Sequence, residues 1–62
     1  MSDEEFIKAA EFWNAELAKG LRNLRKLVSA NADKVSIAYA FGPIFSAIDG
    51  LKQLVDDEND ED

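Results

Sequence analysis

Few residues of this chain are of the types that do chemistry. Its 62 residues include no cysteine and no histidine, so the usual zinc ligands and the common partners of a catalytic nucleophile are missing. Ser36 and Ser46 have only lysines as nearby bases. Paired carboxylates can carry acid–base catalysis, but the acidic residues here fall on polar helix faces or in the C-terminal segment. We therefore expect a protein that is not an enzyme, with no catalytic residue, no cofactor and no bound metal.

The C-terminal segment 56–62, Asp-Asp-Glu-Asn-Asp-Glu-Asp, is almost entirely acidic. Carboxylates attract divalent cations as hard ligands, but this segment lacks the glycine and the terminal glutamate spacing of an EF-hand loop. Its like charges repel each other, and it has no apolar side chain to bury. We expect a solvated, disordered acidic tail at 56–62, following a single domain at 1–55.

A basic cluster occupies the segment 19–26, where Lys19, Arg22 and Lys26 share one helical face and Arg25 lies beside them. Such a face can bind the phosphates of nucleic acid. It is equally typical of a solvated helix surface, and the net charge of −6 disfavours nucleic acid as a partner. These four residues are candidates for contact with a partner.

The charges follow the order acidic, basic, acidic along the chain. Residues 1–16 carry a net charge of −4, residues 17–34 carry +4 and residues 35–62 carry −6. In a hairpin the acidic segments would gather at one end, and the basic segment would occupy the half near the turn. Two hairpins packed antiparallel would then place each basic half beside the acidic end of the other. Charge would select this orientation, whereas apolar burial would provide most of the affinity, because an exposed ion pair contributes only about 0–1 kcal/mol.

Helix-forming signals are strong in the first half of the chain. Ser2 and Glu5 match a capping box, in which each side chain accepts a hydrogen bond from the backbone N–H of the other. Apolar or small residues then recur in alternating steps of four and three, as on the buried face of a bundle helix: Phe6, Ala10, Trp13, Leu17, Gly20, Leu24 and Leu27. Three further residues widen this stripe on one side: Ile7, Leu21 and Val28. The spacing predicts a helix over residues 3–29, with Gly20 facing inward to allow close approach of a neighbour.

The second half begins with a predicted turn at residues 30–33. Asn31 can adopt the left-handed conformation that ends helices, and Asp33 can cap the next helix. Beyond the turn the same spacing returns: Ile37, Phe41, Ile44, Ile48, Leu51 and Val55. It stays in phase across Gly42 and Pro43, although proline interrupts helical hydrogen bonding. This predicts either one helix over residues 34–56 with a kink at Pro43, or a helix that ends near Phe41 and another that begins at Pro43. The unbroken phase favours the kinked helix, with Gly50 on its outer side.

Residues 35–48 contain no charge and form the most apolar part of the chain. This run is shorter than the roughly 20 residues of a membrane span and too apolar all round to be covered by one helix. A chain of this length without disulfides is also marginally stable alone. We therefore expect an all-α helical hairpin that dimerises into an antiparallel four-helix bundle, with these interface residues: Trp13, Leu17, Leu24, Ile37, Phe41, Ile44, Phe45 and Ile48. Four residues on the flanks of the run are expected to meet a second copy or a partner: Ala38, Ala40, Phe45 and Ala47.

Two aromatic residues fall outside these stripes. Phe12 lies beside Trp13 in the first helix, and Tyr39 lies close to Pro43. Aromatic residues often anchor interfaces, so both are candidates for contact with a partner protein. The expected function is that of a small acidic regulator or inhibitor in the cytoplasm, away from membranes, which acts by protein–protein binding as a homo-oligomer. The alternatives are a nucleic-acid-binding helical dimer that uses the basic face of the first helix, and an acidic mimic of nucleic acid.

Overall fold

The computed structural model of the protein describes the backbone of residues 2–59 and the side chains of residues 2–57. This part of the chain forms two helices, α1 (Asp3–Ser29) and α2 (Lys34–Asn59). They pack against each other as an antiparallel hairpin that measures 48 × 18 × 10 Å. The predicted all-α hairpin is confirmed, as are the first helix at 3–29 and the turn at 30–33.

Ionised carboxylates lie at the start of both helices. Ser2 Oγ accepts a hydrogen bond from the Glu5 N–H at 3.2 Å, and the Ser2 N–H donates to Glu5 Oε1 at 3.1 Å. This is the predicted capping box, and the hydrogen bonds from the Ser2 backbone and side chain lower the pKa of Glu5. At α2, the hydroxyl of Ser36 donates to the Asp33 carboxylate and lowers the pKa of Asp33. Both helix starts are therefore stabilised by the charged form of a carboxyl group.

The end of α1 is a Schellman motif. Asn31 has a left-handed backbone conformation with φ 57°, as predicted. The Ala32 N–H donates to the Leu27 carbonyl at 2.9 Å, and the Asn31 N–H donates to the Val28 carbonyl at 3.1 Å. These two bonds satisfy carbonyls that the helix end leaves without helical partners.

Helix α2 is continuous through Pro43. The prediction of one continuous helix is therefore confirmed, and the alternative of two helices is wrong, while the kink at Pro43 stays a prediction. The helix also continues to Asn59, three residues beyond its predicted end at 56. Residues 56–59, predicted as part of the disordered tail, are helical, and Lys52 Nζ pairs with Asp56 at 3.2 Å across this last part of the helix. The prediction for residues 60–62 lies outside the described residues.

The side of α2 that contacts α1 contains two alanines and four aliphatic residues but none of the aromatic residues of this helix. We call this contact the seam, and it is formed by Phe6, Trp13, Leu17, Gly20, Leu24 and Leu27 of α1 and by Ile37, Ala40, Ile44, Ala47, Leu51 and Leu54 of α2. The predicted stripe of α2 is wrong at three positions, because Phe41, Ile48 and Val55 are exposed and the preceding residue takes the place of each. The prediction that Ala40 and Ala47 would meet a second copy or a partner is also wrong, since both are buried against α1.

Two glycines give the physical reason for this register. A Cβ atom at Gly20 would lie 2.8 Å from Ile44 Cγ1, which is the close approach predicted for this glycine. A Cβ atom at Gly50 would overlap the indole ring of Trp13, so the prediction that Gly50 lies on the outer side is wrong. Each helix thus places a large side chain over a glycine of the other. This size complementarity decides which side of α2 faces α1.

Candidate interaction surfaces

Seven large apolar side chains remain exposed on one broad side of the hairpin. We call this side the apolar face: Ile7, Leu21, Val28, Phe41, Phe45, Ile48 and Val55. Their exposed fractions range from 38% to 63%. Each of the seven directly follows a seam residue in the sequence. The same rows also contain three polar residues: Asn14, Arg25 and Lys52.

The orientation of the helices brings the seven residues to the same side. One step along an α-helix is a rotation of about 100°, so a residue that follows a seam residue points sideways, always in the same rotational sense about its own helix. The two helices run in opposite directions and face each other. The same sense of rotation in each therefore leads to the same side of the hairpin. On this side the rings of Phe41 and Phe45 stack, with centroids 5.7 Å apart and an interplanar angle of 18°.

The opposite side of the hairpin is mostly polar. We call it the polar face. With the exception of Gly50, which lies against Trp13, it consists of the residues that directly precede seam residues: Glu5, Phe12, Glu16, Lys19, Asn23, Lys26, Ser36, Tyr39, Pro43, Ser46 and Gln53. Phe12 and Tyr39 are its large aromatic side chains, 56% and 78% exposed. The ring of Phe12 packs edge-on against Trp13, with centroids 5.0 Å apart at 78°. Both aromatic residues that were predicted to contact a partner protein therefore lie on the polar face.

The four basic candidates lie along α1 in the half of the hairpin near the turn, and all are exposed. Lys19 pairs with Glu16 at 3.4 Å. Among the described residues, no carboxylate pairs with the other three. A shallow, open depression in this region is lined by Arg22, Arg25, Lys26, Ser29 and Ala30. The structure thus keeps the basic candidates together and accessible.

The two ends of the hairpin differ in charge. The half near the turn, residues 17–48, has a formal charge of +4, whereas residues 2–16 and 49–59 together have −7. The ion pairs among described residues, Lys8 to Glu4, Lys19 to Glu16 and Lys52 to Asp56, each lie within one helix and are exposed. Pairs of this kind contribute little to stability. They also leave the charge difference between the two ends in place.

The predicted interface residues fall into two groups. Five of them lie in the seam within one chain: Trp13, Leu17, Leu24, Ile37 and Ile44. The other three, Phe41, Phe45 and Ile48, lie on the apolar face. Sequence reasoning missed four residues of this face, since it placed them in or beside the inward stripes: Ile7, Leu21, Val28 and Val55. Their shared signal is a position directly after a seam residue, which can be recognised only when the seam is known.

Two further observations concern metal binding and membranes. Residues 2–57 bring no three acidic side chains together in a group that could hold a metal ion. Neither α1 nor α2 is apolar over a length sufficient to cross a membrane.

Comparisons with protein-family models, curated proteins and solved structures gave no match. The two broad faces and the basic cluster are therefore the features from which function can be argued.

Proposed function

We propose that this chain is a small acidic regulator or inhibitor without enzymatic activity, which binds another protein and does so as a homodimer. In the dimer, two hairpins form an antiparallel four-helix bundle. The observation that carries this proposal is the apolar face, because an isolated hairpin leaves seven large apolar side chains in water on a single side.

The seam alone provides little burial, which supports assembly. Among residues 2–57 the buried ones are Gly20, Ala40, Ile44, Ala47 and Leu54, and no large side chain is fully enclosed. Burial of one large apolar side chain contributes about 1.5–3 kcal/mol. A second layer over the apolar face would add seven such side chains to the core for each copy. The stability that one hairpin lacks would come from the assembly.

The polar face supports a role in binding a further protein. Phe12 and Tyr39 stay exposed when two hairpins pair through the apolar face. Aromatic side chains are among the residues that most often anchor protein interfaces. The sequence has no cysteine and no histidine, two of the residues most often used as catalytic nucleophile or base, which supports a role in binding rather than catalysis.

The assembly is tested by sedimentation equilibrium of the wild-type chain across micromolar concentrations. The expected mass is that of two chains of 6.9 kDa each. A well-folded monomer throughout this range would contradict the proposal.

The binding role is tested by capture of proteins from a lysate of the native host. Wild type is compared with the double variant Phe12→Asp, Tyr39→Asp at equal helicity. A protein that wild type retains and the variant loses supports the proposed role. Equal retention by both, or no specific retention by wild type, contradicts it.

Nucleic-acid binding is a second candidate, favoured by the exposed cluster of Arg22, Arg25 and Lys26. It predicts an affinity for RNA or DNA that falls steeply with salt and is abolished by Arg22→Glu. An acidic mimic of nucleic acid would instead depend on the C-terminal acidic residues. Deletion of residues 56–62 would then weaken binding to a basic partner, whereas an unchanged affinity would exclude the mimic.

A further inference from the structure

We propose that the occupant of the apolar face is a second copy of this chain, stacked so that the two turns lie at opposite ends of the bundle. This inference rests on the proposed homodimer. It develops the use of the apolar face and the antiparallel orientation stated there, and it adds that each helix lies against its own counterpart.

The dimensions of the hairpin suit this interface. The hairpin is 10 Å thick and therefore a single layer of helices, whereas a stable domain is built from at least two packed layers. The rectangle that outlines its broad face is 48 × 18 Å, or about 860 Å². A stable protein–protein interface buries about 800 Å² on each partner. One face of the hairpin is thus large enough for a specific dimer.

The apolar face is suited to pairing with itself. A two-fold axis across the hairpin, perpendicular to both helices, places each helix antiparallel to its own counterpart. Phe45 and Ile48 lie close to the middle of α2, so each would lie near its own counterpart at this axis. Ile7 and Val55 near the chain ends would lie toward the turn of the other copy, where Val28 is located. Apolar contacts would extend along the length of the bundle.

Charge decides between the two ways of stacking these faces. With both turns at one end, the two halves of charge −7 would lie side by side, and so would the two halves of charge +4. With the turns at opposite ends, each positive half lies beside a negative half. Layers of packed helices are about 10 Å apart, a separation comparable to the Debye length in physiological salt. The charges therefore favour turns at opposite ends.

The orientation can be measured with a single spin label near the turn. The sequence has no cysteine, and Ser29 is exposed at the end of α1, so Ser29→Cys gives a unique site. Turns at opposite ends predict a label-to-label distance of about 40–50 Å, close to the 48 Å length of the hairpin. Turns at the same end predict less than about 25 Å. Pulsed dipolar spectroscopy measures this distance, and the short value would overturn the proposed orientation.

A second label separates failure of the orientation from failure of the dimer. Ser46 is exposed near the middle of α2 on the polar face. Labels on Ser46→Cys should lie about 20–35 Å apart in a dimer stacked through the apolar face, whichever way the turns point. No dipolar signal from this variant would mean that no dimer forms, which contradicts the proposed function itself.

The face can be tested with two phenylalanines of similar exposure, Phe45 at 63% and Phe12 at 56%, which lie on opposite faces. Phe45→Asp should raise the dimer dissociation constant at least about 100-fold, because each dimer loses two buried rings and gains two carboxylates in their place. Phe12→Asp should change it by less than about threefold. Equal weakening by both, or a larger effect of Phe12→Asp, would overturn the choice of face. If circular dichroism shows that Phe45→Asp loses its helices, the milder pair Phe45→Ala and Phe12→Ala decides by the same comparison.

Discussion

The two broad faces of the hairpin differ in composition although both flank the same seam. The residue that follows a seam residue is usually a large apolar one, such as Leu21, Phe41 or Ile48. The residue that precedes a seam residue is usually polar, such as Asn23, Ser46 or Gln53. Residues of the apolar face and of the polar face thus lie only two positions apart in the sequence, one after and one before the same seam residue.

This difference limits the number of layers that can stack. If both faces were apolar, each copy could bind a neighbour above and below, and assembly would not stop at two copies. With one apolar and one polar face, the proposed bundle would be complete when two apolar faces are joined. The polar face would then form the outside of the assembly, where we propose that a different partner binds.

The largest expected effect comes from making the polar face apolar. The double variant Ser46→Leu, Gln53→Leu places two large apolar side chains on the polar face of α2, at exposed positions seven residues apart. We expect assemblies larger than a dimer at concentrations where wild type is expected to sediment as two chains, because a second apolar surface favours the addition of another layer.

The control for this variant is Ser46→Gln, which adds a side chain of similar length that remains polar. It should sediment as wild type does. If the leucine variant also stays at the mass of two chains, the composition of the polar face does not limit assembly.

A smaller effect is expected from a change in the contact between the helices. The register of this contact determines which residues lie on each face. Gly50→Ala should lower the free energy of unfolding by about 1–2 kcal/mol, because the added methyl group overlaps the Trp13 indole. In the Trp13→Leu background the same change should be neutral, or stabilising by up to about 1 kcal/mol, since alanine is the better helix former. Chemical denaturation of the four proteins measures this coupling. Equal effects of Gly50→Ala in both backgrounds would show that the two side chains are independent.

The smallest effect concerns the start of α2, where Asp33 lies outside both faces. Folding lowers the pKa of Asp33 from its ordinary value of 3.8, because its carboxylate accepts the Ser36 hydroxyl. The stabilisation is therefore present above the ordinary pKa and is lost as the pH falls through the lower pKa of the folded state. Wild type and Asp33→Asn should thus differ in stability near neutral pH and converge as the pH falls below about 4.

Thermal unfolding of both proteins across this pH range measures the convergence. The matched control is Ser36→Ala, which removes the hydroxyl donor and should reduce the pH dependence in the same way. A difference between wild type and Asp33→Asn that stays constant with pH would contradict this role of the carboxylate.

Local signals were sufficient to predict α1 and the turn. The capping box of Ser2 and Glu5 and the left-handed Asn31 depend on residues close in sequence, and the structure confirms both. The continuity of α2 through Pro43 was also indicated, by the unbroken spacing of its apolar residues.

The register of α2 could not be predicted in this way. Residues 35–48 carry no charge, so hydrophobicity alone allows several faces of this helix to turn inward. Size decided the outcome, because Ala40 and Ala47 permit a closer approach than Phe41 and Ile48. That criterion depends on the side chains of the other helix, and it also explains why part of the apolar face was predicted as core.

The two glycine contacts have a consequence for how the hairpin is aligned. Trp13 over Gly50 and Ile44 over Gly20 lie seven residues apart on α1 and six apart on α2, with large and small partners exchanged between the helices. Sliding one helix along the other by a turn, about 5.4 Å, would move both large side chains off their glycines at once. The alignment is thus encoded inside the helices, and the connection serves mainly as a tether. A longer linker, or two separate peptides in its place, should recover the same pairing.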